Sequence, residues 1–190
     1  MSEDQVDEQL VLRAQEGDRR AFELLVRKYQ FKIIQLVSRL VGDADAPDVA
    51  QESFIKAWRA LPGFRGQSAF YTWLYRIGIN TAKNHLVARG RRPSGQDIDV
   101  QDAEQYGHTE HLADVETPEA VVLSEEIKRK VAETIAKLPP DLRQAITLRE
   151  LDGLSYEEIA EVMDCPIGTV RSRIFRAREA IDSVIKPLME

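Results

Sequence analysis

The sequence predicts an all-α protein with two small helical domains joined by an extended acidic linker. Apolar residues recur every three or four positions in several segments, and no segment alternates as a β-strand does. This periodicity stops after position 92, where Gly, Pro, Ser and Asp accumulate, and resumes near position 118. We therefore predict domains over 1–92 and 118–190, a linker over 93–117, and a helix-turn-helix in the second domain.

The composition limits the classes of protein that the chain can represent. Its 190 residues are enough for two modest hydrophobic cores. The single cysteine, Cys165, excludes an internal disulfide and a multi-cysteine zinc site. We expect neither a metal site nor a cofactor. The N-terminus does not resemble a signal peptide and no apolar run is long enough for a membrane span, so we expect a cytoplasmic protein.

Charge is distributed unevenly along the chain. The formal net charge is −6, but ten acids and no Lys or Arg lie between positions 93 and 127. The segment 53–96 carries eight Lys or Arg residues and no acid. The acidic excess therefore belongs mainly to the linker, and the basic segment suits a polyanionic partner such as nucleic acid.

Four helices are predicted in the first domain. They span about 6–16, 18–40, 47–61 and 68–88, with Gly17, Gly42 and the Pro62-Gly63 pair as breaks. Asp18 is a suitable N-cap for the second helix because its carboxylate can accept a free backbone N–H. The fourth helix can bury Phe70, Leu74, Ile77 and Thr81 while Tyr71, Tyr75, Arg76 and Lys83 lean outward.

A helix-turn-helix is predicted near the C-terminus, after helices that begin near Pro118 and Asp141. Ser155 and Glu158 have the spacing of a capping box, which fixes the start of the next helix. Ile159, Ala160 and Met163 form its predicted inner face, and a tight break follows at 164–166.

The second helix of this motif presents residue types that suit the major groove of DNA. Its outer face carries Arg171, Ser172, Phe175 and Arg176, with Arg173 and Arg178 on the flanks. Arginine can donate two hydrogen bonds to guanine, serine can bond a base or a phosphate, and an exposed phenylalanine can contact a thymine methyl. We interpret this face as a DNA-reading surface, because docking of a recognition helix requires an arginine-rich outer stripe on the second helix. A solvated face with one incidental aromatic residue is the alternative. The motif alone indicates only DNA binding, since repressors and response regulators carry very similar ones.

The basic segment of the first domain is also unusually aromatic. Seven of the thirteen aromatic residues of the chain lie between positions 54 and 75. Aromatic rings interleaved with cations favour unpaired bases, because the rings stack on bases and the cations hold phosphates. An ordinary aromatic core with a basic face is the alternative interpretation.

The third helix offers a different outer face, which mixes acid, amide, aliphatic and basic side chains: Asp48, Gln51, Glu52, Ile55 and Arg59. A protein partner and a merely solvated face explain this mixture equally well.

Several motifs together resemble the extracytoplasmic-function sigma factors of bacterial RNA polymerase, in particular the sigma-E and AlgU branch. The resemblance covers nearly the whole chain. It is carried by 48–57 (DVAQESFIKA), 64–77 (FRGQSAFYTWLYRI), 80–84 (NTAKN), 142–150 (LRQAITLRE), 153–160 (GLSYEEIA) and 168–173 (GTVRSR).

The resemblance implies a role for each surface. Segment 48–61 would dock on the clamp helices of the largest polymerase subunit, and 156–175 would read the upstream promoter element as duplex. The loop 64–72 would hold a flipped base of the downstream element, and the following helix would contact promoter DNA that becomes single-stranded. The residues implied in downstream recognition and melting are Phe64, Arg65, Ser68, Tyr71, Thr72, Trp73, Tyr75, Arg76, Asn80 and Lys83. A membrane-anchored anti-sigma factor is the implied inhibitor, in a response to envelope stress.

The chain departs from the family pattern at Gln67, where the family usually has aspartate. An amide can still accept a hydrogen bond, so we expect either a shifted base preference or none. We also hypothesise that the acidic linker occupies a nucleic-acid path in the polymerase until RNA displaces it.

Two other functions compete with this interpretation. The first is a conventional transcription regulator, which would use its other domain for a ligand pocket or a phospho-acceptor rather than for a stacking surface. The second is an enzyme, and for this we find no support. The sequence has no phosphate-binding glycine loop, nucleophile elbow or zinc-protease motif, so no catalytic residue and no small-molecule substrate are predicted.

Overall fold

The computed structural model describes residues 3–90 and 118–189, with side chains described from 5 to 90 and from 125 to 188. The predicted acidic linker, 93–117, and with it the hypothesis about its path, lies outside the described residues. Every regular element in the described ranges is helical, which confirms the predicted fold class. The chain divides into two compact units, and each is described by itself.

Four helices build the first unit. They are α1 (Glu3–Gln15), α2 (Arg19–Val41), α3 (Ala46–Ala60) and α4 (Phe70–Ala88), with a 3-10 turn at Leu61–Gly63. Helix α2 packs against the other three, and α3 also packs on α4. The side chains that fill this core with almost no exposure include Leu25, Ile33, Val37, Val49, Leu61, Leu74 and Ile79.

Helix α2 shows how local sequence sets the framework of this unit. The Asp18 carboxylate accepts hydrogen bonds from Arg20 N at 3.0 Å and Ala21 N at 3.2 Å, so the predicted N-cap is confirmed. At the other end Gly42 has φ +83°, which ends the helix in a conformation that residues with a Cβ rarely adopt. Inside α4, Gly78 faces α2, where a Cβ would make ordinary van der Waals contact with Leu36 Cδ2 at 3.5 Å.

Helix α1 is fastened to α2 through a buried carboxylate. Asp7 is almost fully buried, accepts a hydrogen bond from Lys28 Nζ at 2.8 Å and accepts another from the hydroxyl of Tyr29. A buried carboxylate that accepts hydrogen bonds from two donors on one neighbouring helix holds the two helices in register. The ion pair of Arg13 with Asp18, at 2.6 Å, fixes the turn that joins them.

Four further helices follow the linker: α5 (Pro118–Lys137), α6 (Pro140–Glu150), α7 (Tyr156–Met163) and α8 (Ile167–Met189). Both α5 and α6 pack on α8. The most deeply buried side chains of these helices and their connections include Ala145, Ile146, Leu148, Leu154, Ile159, Val170, Ile174 and Ala177. None of the helices in the described ranges is long and apolar enough to cross a membrane.

Some predicted boundaries and faces differ from the structure. Helix α1 begins three residues earlier than predicted, and α4 begins at Phe70 rather than at Ser68. Trp58 of α3 is half-buried against Phe22, with 4.9 Å between ring centroids. In α7 the structure buries Ile159 and Val162, whereas Ala160 and Met163 are only half-buried.

The predicted capping box at the start of α7 is confirmed. Ser155 N donates to the Glu158 carboxylate at 2.8 Å, and Glu158 N donates to Ser155 Oγ at 3.2 Å. Each side chain satisfies a backbone donor that the helix end would otherwise leave free.

We expect Ser155→Ala to lower the free energy of unfolding by about 0.5–2 kcal/mol, the usual cost of losing an N-cap hydroxyl. Chemical denaturation followed by circular dichroism measures this change. Ser183→Ala is a suitable control, because Ser183 is an exposed serine within α8 whose hydroxyl only donates back to Ala180 O. Equal stability of the two variants would contradict a stabilising role for the capping box.

Candidate nucleic-acid and partner surfaces

A short loop between the 3-10 turn and α4 forms the first part of the candidate site. Phe64 is half-buried at its start, and Arg65 is exposed beside it. Gly66 has φ +66°, a backbone conformation that favours glycine, and Ser68 is half-buried just before α4. The glycine lets the loop turn sharply while the side chains on either side stay near the surface.

Three aromatic rings meet where this loop joins α4. The Phe64 and Trp73 centroids lie 4.9 Å apart, and both rings also contact Phe70, at 6.2 Å and 5.7 Å. Phe70 is buried and reaches Tyr29 of α2 at 5.8 Å. Phe64 and Trp73 are half-buried, so a core ring supports a pair of rings that is partly open to solvent. Such a pair can accept a stacked base.

The structure corrects the prediction that Tyr75 leans outward. Tyr75 is only 3% exposed, and Thr72, also a predicted site residue, is fully buried. The reason is that α4 packs on both α2 and α3, so two faces of the helix are covered rather than one. Tyr71 is half-buried with its ring edge-on to Tyr75, at 6.2 Å between centroids.

One stripe of α4 remains exposed. It carries three predicted site residues, Arg76, Asn80 and Lys83, and continues through Asn84 and Val87, which were not among the predicted site residues. The continued spacing of three and four residues could have identified these last two. The stripe combines cations, amides and one aliphatic side chain, and no acid belongs to it. This composition suits contact with phosphates and base edges.

The predicted partner face on α3 is exposed along its whole length. All five residues are exposed, and Ile55 retains 44% of its accessible surface; they are Asp48, Gln51, Glu52, Ile55 and Arg59. The opposite face of α3 is buried in the unit. The structure therefore brings together an aliphatic side chain flanked by both signs of charge, as a protein-docking helix requires.

An ion cluster ties the start of α3 to the end of α4. Asp45 Oδ2 lies 2.5 Å from Arg89 Nη1 and 3.3 Å from His85 Nε2. Burial raises the pKa of the Asp45 carboxyl, but the interactions with His85 and the positive charge of Arg89 outweigh it, so this pKa lies below its usual value. Asp45 also precedes α3 without capping it, since its carboxylate is directed to α4 instead.

In α8, four predicted site residues share an exposed face. Arg171, Ser172, Phe175 and Arg176 are all exposed, and Phe175 retains 67% of its surface. Ser172 Oγ donates to Thr169 O at 2.9 Å, which leaves its oxygen able to accept. Val170, Ile174 and Ala177 are buried on the other side and hold this face in place.

The flanking arginines of α8 are held against α6. Arg173 Nη2 lies 2.6 Å from Asp141, and its side chain is largely buried. Arg178 Nη2 lies 2.7 Å from Glu150. The hydrogen bond to Glu150 raises the pKa of Arg178 above its usual value. These contacts orient α8. The DNA contact that the sequence suggested for Arg173 stays a prediction.

The described residues contain no group of three or more His, Cys, Asp or Glu side chains that could hold a metal ion. Cys165 is half-buried in the turn between α7 and α8, where its N–H donates to Ala160 O at 3.0 Å.

Comparison with protein families and curated proteins gives two domain matches and close relatives. The family described as Sigma-70 region 2 matches residues 25–92, and Sigma-70, region 4 matches residues 128–181. The chain is 62% identical to the ECF RNA polymerase sigma-E factor of Escherichia coli strain K12, covering all of this chain and 99% of that protein. It is 61% identical to the factor of the same description from Haemophilus influenzae, with complete coverage of both chains.

Two solved structures are similar over most of the chain. CnrH in complex with the cytosolic domain of CnrY has a TM-score of 0.66 and 27% identity, with 96% of this chain and 98% of that chain covered. The sigma factor RpoE from Bartonella quintana, in complex with the anti-sigma factor NepR, has a TM-score of 0.60 and 25% identity, with coverage of 87% and 96%.

Proposed function

This chain belongs to the ECF (extracytoplasmic-function) RNA polymerase sigma factors, and we infer from this that it binds core polymerase, recognises promoter DNA and promotes strand opening at initiation. The family consists of transcription initiation factors, not known enzymes. One observation about the chain itself carries the inference furthest. Its first unit exposes a mixed acidic and apolar stripe on α3 and an acid-free cationic stripe on α4.

The α3 stripe is the proposed polymerase-docking face. Ile55 is an exposed aliphatic side chain at its centre, with Glu52 one turn before it and Arg59 one turn after it. An apolar centre with charged flanks allows desolvation at the middle of an interface while the rim stays polar. We propose that this helix, with Asp48 and Gln51, contacts the clamp helices of the largest polymerase subunit.

The loop and the exposed stripe of α4 form the proposed surface for the downstream promoter element. The Phe64 and Trp73 rings, with Tyr71 beside them, would stack on unpaired bases. Arg65, Arg76 and Lys83 would hold phosphates, and Asn80 would contact a base edge. Thr72 and Tyr75, which are buried, would support this surface from below rather than contact DNA.

The exposed face of α8 is the proposed reader of the upstream element. Arg171 and Arg176 would donate to guanine or phosphate, the Ser172 oxygen would accept from a base amino group, and Phe175 would lie against a thymine methyl. The buried side of α8 and its ion pairs with α6 would present this face as one rigid surface.

We propose regulation by an anti-sigma factor. The structurally similar CnrH and RpoE were solved with the cytosolic domain of CnrY and with the anti-sigma factor NepR. By analogy, a membrane-anchored anti-sigma factor would hold this chain inactive at the cytoplasmic side of the inner membrane, and envelope stress would release it. Membrane fractionation before and after envelope stress tests this location directly.

The experiment that tests the function is to mix the purified chain with core polymerase and map transcript starts on fragmented genomic DNA. Discrete starts that require both components are expected. A conventional regulator would instead bind duplex promoter DNA without polymerase, which a gel shift with the isolated chain detects.

We expect Ile55→Arg to weaken binding to core polymerase by at least about tenfold, because a charge would replace the apolar centre of the interface. Fluorescence anisotropy of the labelled chain, titrated with core polymerase, measures this. Leu24→Arg is the matched control, since Leu24 of α2 is a similarly exposed aliphatic side chain, at 51% against 44% for Ile55. Equal affinities of the two variants would remove α3 from the docking surface.

A further inference from the structure

Helix α1 contains a glutamine that none of the motifs above accounts for. Gln15 is the last residue of α1 and is half-buried. It lies outside the residues 25–92 that match the Sigma-70 region 2 family. Its side chain makes hydrogen bonds to backbone atoms that are more than forty positions further along the chain.

The Gln15 amide holds both ends of the turn that precedes the downstream-element loop. Nε2 donates to Leu61 O at 2.9 Å and to Phe64 O at 2.7 Å. Both acceptors are backbone carbonyls, so both hydrogens of one NH₂ group are used. The carbonyls fall on either side of the Pro62-Gly63 pair, and the amide therefore spans the whole turn.

The turn depends on this contact because it has little hydrogen bonding of its own. A backbone bond from Phe64 N to Leu61 O, at 3.0 Å, closes it. Pro62 has no N–H to donate, and Gly63 leaves the backbone conformationally permissive. Without Gln15 the Phe64 carbonyl would lose its partner, and the direction in which the chain enters the loop would be less restricted.

Helix α1 is rigid enough to transmit this restraint. Asp7 ties it to Lys28 and Tyr29 of α2, and Arg13 ties its end to Asp18. Gln15 thus connects a fixed framework to Phe64, whose ring lies 4.9 Å from that of Trp73. By holding the Phe64 carbonyl, Gln15 restrains the backbone that carries one ring of this pair.

We propose that Gln15 is a positioning residue for base recognition, which preorganises the loop 64–69 so that a single unpaired base fits between the loop and α4. It acts through the Leu61 and Phe64 carbonyls and does not itself contact DNA. Preorganisation raises affinity and selectivity because the loop does not have to be ordered when the base enters. This proposal rests on the proposed role of the loop in downstream-element recognition.

The test compares the polymerase complex of the parent chain with that of Gln15→Met, which keeps the length of the side chain and removes both donors. One probe is a single-stranded oligonucleotide with the downstream-element sequence of a promoter mapped as above. The other probes are the same oligonucleotide with one base at a time replaced by an abasic site. The measured quantity is the ratio of the dissociation constant of the abasic oligonucleotide to that of the intact one. For the parent, an abasic site at the captured position is expected to give a ratio of about tenfold or more. For Gln15→Met, this ratio is expected to fall to about threefold or less. Gln9→Met, at an exposed position of the same helix, should keep the parent ratio.

This ratio distinguishes a positioning role of Gln15 from a purely structural one. General destabilisation of the protein weakens the binding of the intact and the abasic oligonucleotide equally, so it leaves the ratio unchanged. Gln15→Glu, which has the same size and no N–H to donate, provides a second variant if Gln15→Met does not fold by circular dichroism. If the parent complex shows no abasic effect at any position, the proposed base capture itself fails. If the parent discriminates and the folded Gln15 variants retain its ratio, base capture stands and the role of Gln15 is overturned.

Discussion

Replacing Trp73 by alanine is expected to slow the opening of a duplex promoter by about tenfold or more, while binding to the upstream element stays unchanged. The half-buried Trp73 ring forms an open pair with Phe64, at 4.9 Å between centroids, and both rest on Phe70. Removing one stacking ring costs about 1–3 kcal/mol per unpaired base. Permanganate reactivity of promoter thymines, followed over time, measures the opening rate directly.

Folding has to be separated from melting in this experiment. Trp73 also packs on Phe64 and Phe70, so its loss lowers stability as well as removing a stacking surface. A premelted bubble template should restore most of the transcription by Trp73→Ala, because a folded variant then lacks only the ability to stabilise unpaired bases. If Trp73→Ala opens duplex promoters as fast as the parent, the ring has a packing role alone.

Tyr75 cannot serve as a second probe of melting. It is 3% exposed, and truncating a buried aromatic side chain to alanine typically costs about 3–5 kcal/mol of stability. Tyr71, which is half-buried at the edge of Tyr75, is the better choice. A loss of opening in Tyr75→Ala would report unfolding of the first unit and would say nothing about base stacking.

The sequence was sufficient for those parts of the fold that local chemistry determines. The Asp18 cap, the Gly42 stop and the capping box of Ser155 and Glu158 each involve residues within four positions of one another, and all three are as predicted. The exposed faces of α3 and α8 also follow from helical period, because each helix has one broad buried side. The roles assigned to those faces stay predictions.

The largest departures from the predictions depend on contacts between distant segments. Tyr75 is buried because α4 is covered by two helices, which periodicity in α4 alone does not indicate. Arg173 pairs with Asp141, 32 positions away, and Gln15 bonds carbonyls 46 and 49 positions away. Local propensity carries no information about such partners, so these side chains were either misplaced or overlooked.

Replacing Arg176 by alanine is expected to reduce binding of the polymerase complex to the upstream element by about 1–3 kcal/mol, which is the loss for a bidentate contact between arginine and guanine. Arg176 is exposed on the same face of α8 as Phe175 and Arg171. Binding to promoter duplexes with every base pair of the element substituted in turn measures both affinity and preference. Opening of an already bound promoter should change little.

Arg178→Ala provides the matched control, because it removes an arginine two positions away that is held by Glu150 at 2.7 Å. It should leave the sequence preference of the complex intact.

The salt dependence of DNA binding then distinguishes the two kinds of contact that Arg176 could make. A base contact predicts relaxed preference at one base pair, whereas a phosphate contact predicts uniformly weaker binding and a log–log salt slope that falls by about one. Unrelaxed preference with the smaller slope would make Arg176 a phosphate contact and leave base reading to Arg171, Ser172 and Phe175. Unchanged binding in both measurements would take Arg176 out of the interface.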